Sequence, residues 1–254
     1  MSNMPPEDAK LTETPAEGQS WFFSWRGVVL FFIAALLLIA LFLPATRLGT
    51  VEGVRRMNCQ SNLKQISIGM HNYESVFGTL PPAFTVDAEG NRLHSWRTVL
   101  LRYMNFMTIE VYEKIDLSKP WDDPANAEAR AMVVEEYLCP SAKDEEGLTT
   151  FLGIVGPDCV FSGEVPRALD EIADGLGNTI GVIDAPSDRA VHWMSPHDIS
   201  EDEVLQIDSD SKVNHPGIVN AMFLDWSVKA LYLDMDPAEL SGMMTIAGGE
   251  KTAE

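Results

Sequence analysis

The chain has 254 residues, with 18 Lys+Arg against 38 Asp+Glu and a formal net charge of −20. That length allows one ordinary domain, or one domain with an appendage. At 46% hydrophobic and 22% charged the chain is not disordered overall, and 15 Pro with 18 Gly in no period exclude a collagen-like fibre. The acidity argues against a nucleic-acid partner, which needs a basic face to neutralise phosphates. Three Cys are too few for a disulfide scaffold, though one bridge is possible.

Residues 1–26 open polar, Pro-bearing and without periodicity, and are expected to be a disordered cytoplasmic tail. From Gly27 to Thr46 no residue is charged, and the run to Leu43 is almost wholly apolar. At about 1.5 Å per residue such a helix crosses a hydrocarbon core of about 30 Å. Trp21, Trp25 and Arg26 precede it as interfacial residues do. The expectation is a transmembrane helix over 27–46 in contact with lipid. It reads as a signal anchor, because no A-x-A cleavage site follows.

Cys59, Leu63, Ile66, Met70, Tyr73 and Phe77 then recur at steps of 4, 3, 4, 3 and 4, one face of a helix. The span is therefore expected to continue as a stalk helix over 47–82 that enters a folded head, ending at Thr79-Leu-Pro-Pro82. The head, 83–250, alternates helical and extended patterns. Helical spacing runs over Ser95–Ile115 and Asn126–Glu136. Short apolar runs predict strands at Thr150–Val155, Thr179–Ile183 and Val219–Leu224, the last forming a hairpin with Val228–Leu233. Asp236-Pro237 starts a final helix, which Ala247-Gly-Gly249 ends. The predicted fold class is α+β: a long transmembrane and stalk helix packed on a small antiparallel-sheet head.

Cys59 lies on the stripe, and Cys139 follows a helical stretch. They read either as a bridge pinning stalk to head, which requires an oxidising compartment, or as two buried thiols. Cys159 is left as a free thiol.

Several motifs carry a resemblance. Arg55-Arg-Met-Asn-Cys-Gln-Ser-Asn-Leu-Lys-Gln-Ile66, His71-Asn-Tyr73, Gly78-Thr-Leu-Pro-Pro82, Ser95-Trp-Arg97, Pro120-Trp-Asp122, Tyr137-Leu-Cys-Pro-Ser141, Gly177-Asn-Thr-Ile180 and His215-Pro-Gly217 occur in order. The chain resembles the planctomycete family that carries domain of unknown function 1559. The resemblance implies a type IV pilin-like N-terminus and a head outside the cytoplasmic membrane. The family's C-terminal signature, His, nine residues, then Asp-Gly, is matched by His215 and Asp225, with Trp226 in place of the Gly. Phe32 stands where processed members have Glu, so cleavage after Gly27 is not expected and the stem is read as a permanent anchor.

No Gly-x-Ser-x-Gly, His-Glu-x-x-His, Gly-x-Gly-x-x-Gly or Walker loop is present. Pro196 breaks any helix through His192 and His197, and Asp208-Ser-Asp-Ser-Lys212 lacks the later residues of a calcium loop. His71 reads as partly buried, and Asp198–Glu203 as a solvated acidic face. His215, Asp225 and Trp226 are assigned a structural part in the hairpin. No catalytic, cofactor or metal residue is assigned. The expected function is a membrane-anchored, extracytoplasmic, pseudopilin-like structural or interaction protein of the inner membrane, with a protein partner in an envelope or secretion assembly, and not an enzyme. The alternative is an anchored solute- or glycan-binding module using Trp121, Trp193 and Trp226 as contact aromatics.

Overall fold

The computed structural model describes residues 25–142 and 147–248, without the side chains of 41–50. Helix α1 runs Trp25–Phe77. It stops at Gly78, whose φ of 71° is the left-handed conformation that only glycine takes without a Cβ clash. The chain divides into two units, 1–48 and 49–254.

In the first unit the described side chains of α1 are exposed apart from the half-buried Val28 and Ala35, with Leu30, Phe31, Phe32, Leu36 and Leu37 among the exposed ones. The expected membrane span over 27–46 is corrected here: among the described residues no helix is long and apolar enough to cross a membrane. The tail expected over 1–26 lies outside the described residues except for Trp25 and Arg26, which begin α1.

In the second unit Cys59, Leu63, Ile66 and Met70 are fully buried. Phe77, the last member of the stripe, is 53% exposed, its ring resting on Tyr73 and Tyr103 at 4.4 and 5.8 Å between centroids. The helix thus lifts off the core in its final turn.

Strands β1 (Phe84–Val86) and β2 (Arg92–Ser95) form an antiparallel pair that leads into α2 (Trp96–Met104). A break then follows where one helix is expected over Ser95–Ile115. Asn105 leaves helical geometry, and its side chain accepts from Met107 and Thr108 N–H to cap α3 (Phe106–Tyr112). The helix expected over Asn126–Glu136 shrinks to α4 (Ala127–Arg130). Past it the chain turns inward so that Val134 and Tyr137 enter the core, Tyr137 Oη donating to the Arg97 carbonyl at 2.6 Å.

The remaining elements are β3 (Leu148–Thr149), β4 (Phe151–Val155), β5 (Ile180–Asp184), β6 (Val191–His192), β7 (Ile199–Ser200), α5 (Glu201–Val204), β8 (Ile218–Phe223), β9 (Val228–Tyr232) and α6 (Pro237–Met244). β4, β5, β8 and β9 coincide to within a residue with the apolar runs read from the sequence, whereas β1, β2, β3, β6 and β7 fall outside them. β3 pairs with β6, and the main sheet has the order β7-β4-β5-β8-β9. β7 runs parallel to β4, so the sheet is mixed rather than wholly antiparallel. Phe151, Val182 and Met222 face a core shared with α1 and α2, while Leu152, Ile154, Ile183 and Phe223 face a second core that includes Val204 and Met244. Burial on both faces explains why these strands read as continuous apolar runs. Gly153 has no room for a Cβ, which would sit 2.7 Å from the Phe161 ring.

One polar network crosses the first core. The fully buried Arg97 guanidinium donates to the carbonyls of Trp193, Ser195 and His197 and pairs with Asp198 Oδ1 at 2.6 Å. Asp198 also accepts from Trp96 Nε1 and Gly153 N–H. The reading of Asp198–Glu203 as a solvated face is therefore corrected. Asp198 is a buried counter-ion, and Glu203 accepts from the Ser200 N–H in the capping box that opens α5.

Two measurements test this packing. Leu63→Ala lowers the free energy of unfolding by about 2–5 kcal/mol, whereas Ile68→Ala, at an exposed position of the same helix, changes it by no more than about 0.5 kcal/mol. Asp198→Ala, which strands the Arg97 charge, costs about 3–5 kcal/mol, read from the urea midpoint.

Candidate functional site

Cys59, Cys139 and His215, each singled out in the sequence for a separate reason, converge on one point with Asp184. Cys59 is delivered by α1, Asp184 ends β5, Cys139 follows the turn at Tyr137, and His215 precedes β8. All four are buried, and one ligand atom from each lies within 4.8 Å of the others. Cys59 Sγ is 3.2 Å from Asp184 Oδ2, Cys139 Sγ is 3.4 Å from His215 Nε2, and His215 Nε2 is 3.6 Å from Asp184 Oδ2.

A second layer fixes each of these groups. Glu52 Oε1 lies 2.6 Å from His215 Nδ1, and Ser141 Oγ donates to the same carboxylate. Asp184 Oδ1 accepts from Thr150 Oγ1 and Asn214 Nδ2 at 2.6 and 2.7 Å, which leaves Oδ2 turned to the cluster. Asn220 Nδ2 donates to Cys59 Sγ at 3.3 Å, and Gln60 Nε2 holds the Asn220 carbonyl oxygen.

The electrostatics follow from this crowding. The hydrogen bond from Cys59, followed by others that include His215, outweighs burial and pulls the Cys139 thiol down to about 5. Cys59 is pushed the other way by its bond to Cys139, by burial and by the charge of Asp184. Burial, then the charge of Cys139, raises Asp184 to about 7. Burial opposes charge on His215, but its bonds to Cys139 and Glu52 and the charge of Asp184 prevail and raise it to about 9. Two thiols, a carboxylate and an imidazole at this spacing can hold a divalent ion, and the thiols alone could form a disulfide.

Cys59 and Cys139 are free thiols in the structure, not bridged, and Cys159 is a third, buried elsewhere. His215 accepts from Ile218 N–H through its carbonyl at the entry to β8, and its ring engages the side chains of Glu52, Cys139 and Asp184. Asp225 is not beside it. It lies at the tip of the β8–β9 hairpin, its carboxylate accepting from Ser227 N–H and Oγ at 2.9 and 2.6 Å. Six strand residues separate the two ends, a length of about 20 Å. Trp226 has φ 67°, paying the conformational cost that Gly avoids. The His71 ring, 5.3 Å away, and Lys64 Nζ, donating to the Trp226 carbonyl at 2.6 Å, hold it there. His71 itself is exposed.

The contact aromatics do not form a surface platform. Trp193 is buried and stacks between Tyr137 and His192, with Trp121 half-buried beyond His192. His192 and His197 are not a metal pair. His192 Nε2 is bonded to the Arg130 carbonyl and His197 Nδ1 to Ser195 Oγ. Asp208 folds on itself, accepting from Asp210 and Ser211 N–H.

Asp184, Asn220, Glu52, Thr150 and Asn214 were not singled out from the sequence. A signal existed for two of them. Asp184 closes the apolar run Ile180-Gly-Val-Ile, and Asn220 interrupts Ile218-Val-Asn-Ala-Met-Phe223. A polar side chain in a strand buried on both faces requires a partner.

The titration of His215 gives a test. Its folded value lies above the ordinary 6.5, so its contribution to stability is complete below about pH 6.5 and is lost as the pH rises through about 9. The groups facing it are Glu52, Cys139 and Asp184. Glu52→Gln removes one partner that raises the value and moves this alkaline loss to lower pH. Urea midpoints between about pH 6 and about pH 10, with reductant and chelator present, read it.

No curated protein and no solved structure matches the chain. Residues 52–158, which include Glu52, Cys59 and Cys139 and the motifs from Arg55 to Ser141, match the family described as a protein of unknown function (DUF1559), the family those motifs resemble.

Proposed function

We propose that the chain is a structural and interaction protein of pseudopilin-like build, acting by association rather than by turnover. The observation that carries this reading is the charge-free part of α1, where Leu30, Phe31, Phe32, Leu36 and Leu37 are each more than 60% exposed. A helix that is apolar on every face is normally buried against something, and a contiguous exposed apolar surface marks an interaction site. Burial of such side chains returns about 25 cal/mol per Å² of apolar area. The second support is that Cys59, Cys139, Asp184 and His215 are all buried, so a substrate would have to open the core to reach them. A place outside the cytoplasm, in an envelope or secretion assembly, belongs to this reading and rests on the resemblance alone.

The alternative, a binding module, has one observation in its favour. Val204, Leu205, Leu231, Leu233, Met235 and Leu240 line a cleft of about 190 Å³ beside α6. Its lining is aliphatic apart from Tyr232 and Asp208. That suits a small apolar group and not a sugar, which is stacked on aromatic faces and held by several polar groups.

Sedimentation of the full chain tests the first reading, with a second copy of the same apolar helix as the partner. The expected result is an assembly larger than a monomer at micromolar concentration. Replacing Leu30, Phe31 and Leu37 together by Gln should shift it to monomer without altering the circular dichroism of the 49–254 unit. A full chain that sediments as a monomer with or without the three substitutions refutes it.

A further inference from the structure

We propose that Cys59, Cys139, Asp184 and His215 form a structural site for a zinc-class divalent cation, with Glu52 as the residue that orients His215. The donor geometry is the first argument. Bond lengths of about 2.3 Å to sulfur and about 2.0–2.1 Å to nitrogen and oxygen, placed tetrahedrally, require sulfur–oxygen and sulfur–nitrogen edges of about 3.5–3.6 Å and a nitrogen–oxygen edge of about 3.3 Å. The corresponding separations are 3.2, 3.4 and 3.6 Å. Three of the six edges of the polyhedron that the ion would complete are thus close to their required lengths, and the other three are no longer than 4.8 Å.

The second argument is the outer layer. A metal-ligating imidazole ordinarily gives its other nitrogen to a carboxylate, which fixes the tautomer and the ring plane. Glu52 does this at 2.6 Å, so a proton on Nδ1 leaves the Nε2 lone pair facing the cluster. Asp184 has one oxygen saturated by Thr150 and Asn214, and the other accepts only from the Cys59 thiol, whose proton an ion would replace. Asn220 donates to Cys59 Sγ, which favours the thiolate that a metal needs.

The donor set also selects the class of ion. Two thiolates disfavour magnesium and calcium, which take oxygen ligands, while the carboxylate and imidazole suit a borderline-soft ion such as zinc. A closed set of four protein ligands, all buried, is the arrangement of a structural site rather than a catalytic one, which keeps a position open. A Cys59–Cys139 disulfide uses the same thiols differently. It would bring the sulfurs to about 2.05 Å, drawing them towards each other and away from Asp184 and His215, and would leave a buried carboxylate and imidazole to be satisfied by other means. The four ligands come from α1, the turn after Tyr137, β5 and the segment before β8. One ion would therefore tie the helix to two strands of the sheet, and binding would release whatever protons the four ligands hold.

The test uses the full chain, purified, reduced and stripped with chelator. On adding zinc chloride it should bind one zinc per chain, with proton release and a higher thermal midpoint that chelator reverses. Cobalt(II) in place of zinc should give intense thiolate-to-metal absorption and the visible bands of a tetrahedral ion. Cys139→Ser and His215→Gln should abolish both, whereas Cys159→Ala should change neither. Where the ligand variants fail to fold, Glu52→Gln decides, since loss of an outer-layer partner weakens zinc binding about 10–100-fold. An unchanged affinity in that variant overturns the proposal. So does a reduced, folded wild-type chain that takes up no zinc, or zinc uptake and cobalt spectra that persist in folded Cys139→Ser protein.

Discussion

The second unit depends on one constraint: α1 must bury the stripe Cys59, Leu63, Ile66 and Met70 against the main sheet. That face of the helix and the sheet face bearing Val182 and Met222 meet in one core, which α2 completes with Trp96 and Leu100. Because the i, i+4, i+7 spacing allows one rotation about the helix axis, burying Leu63 and Met70 also fixes where Cys59 goes. Cys59 arrives one turn above Leu63, against Asp184 and Asn220. The polar cluster is thus a consequence of apolar packing, set by the same helix rotation.

Two buried polar systems then divide the first core between them. Arg97 and Asp198 knit α2 to the segment 193–198 and to β4, with every Arg97 nitrogen engaged. The Cys59–Cys139–Asp184–His215 cluster knits α1 to β5 and to the segment before β8. Between them runs a ladder of rings from Phe161 through Trp96, Tyr137 and Trp193 to His192 and Trp121. Buried charges need partners to be tolerated, and here those partners come from segments far apart in the chain. The two systems therefore specify which loops meet.

The first unit poses the opposite situation. Among the described residues, most of its apolar side chains are presented outward and none is buried. Association of this stretch with another apolar helix is what the functional reading rests on, while the stability of the second unit rests on its own two cores. The hairpin tip shows a smaller instance of the same logic. Trp226 occupies a left-handed position that suits Gly, and the cost is met by His71 and Lys64 on α1, so the turn keeps its place.

Much of the fold was legible in the sequence, because local patterns set local structure. The stripe on α1, the strands at Phe151–Val155, Ile180–Asp184 and Ile218–Phe223, and the Asp236 cap of α6 follow from periodicity and capping, which need no distant partner. The sequence overreached where tertiary packing competed. Asn105 broke a periodic helix by capping a new one, and Asp198 left an acidic run for a buried arginine. The candidate site was the least legible part. Its four ligands are separated by 80, 45 and 31 positions in the chain, read from Cys59, Cys139, Asp184 and His215, so no spacing motif could announce it. Sequence alone determined which residues must be buried; only the packing of α1 on the sheet decided that two thiols, a carboxylate and an imidazole would be buried together, because proximity between distant segments is a property of the folded chain.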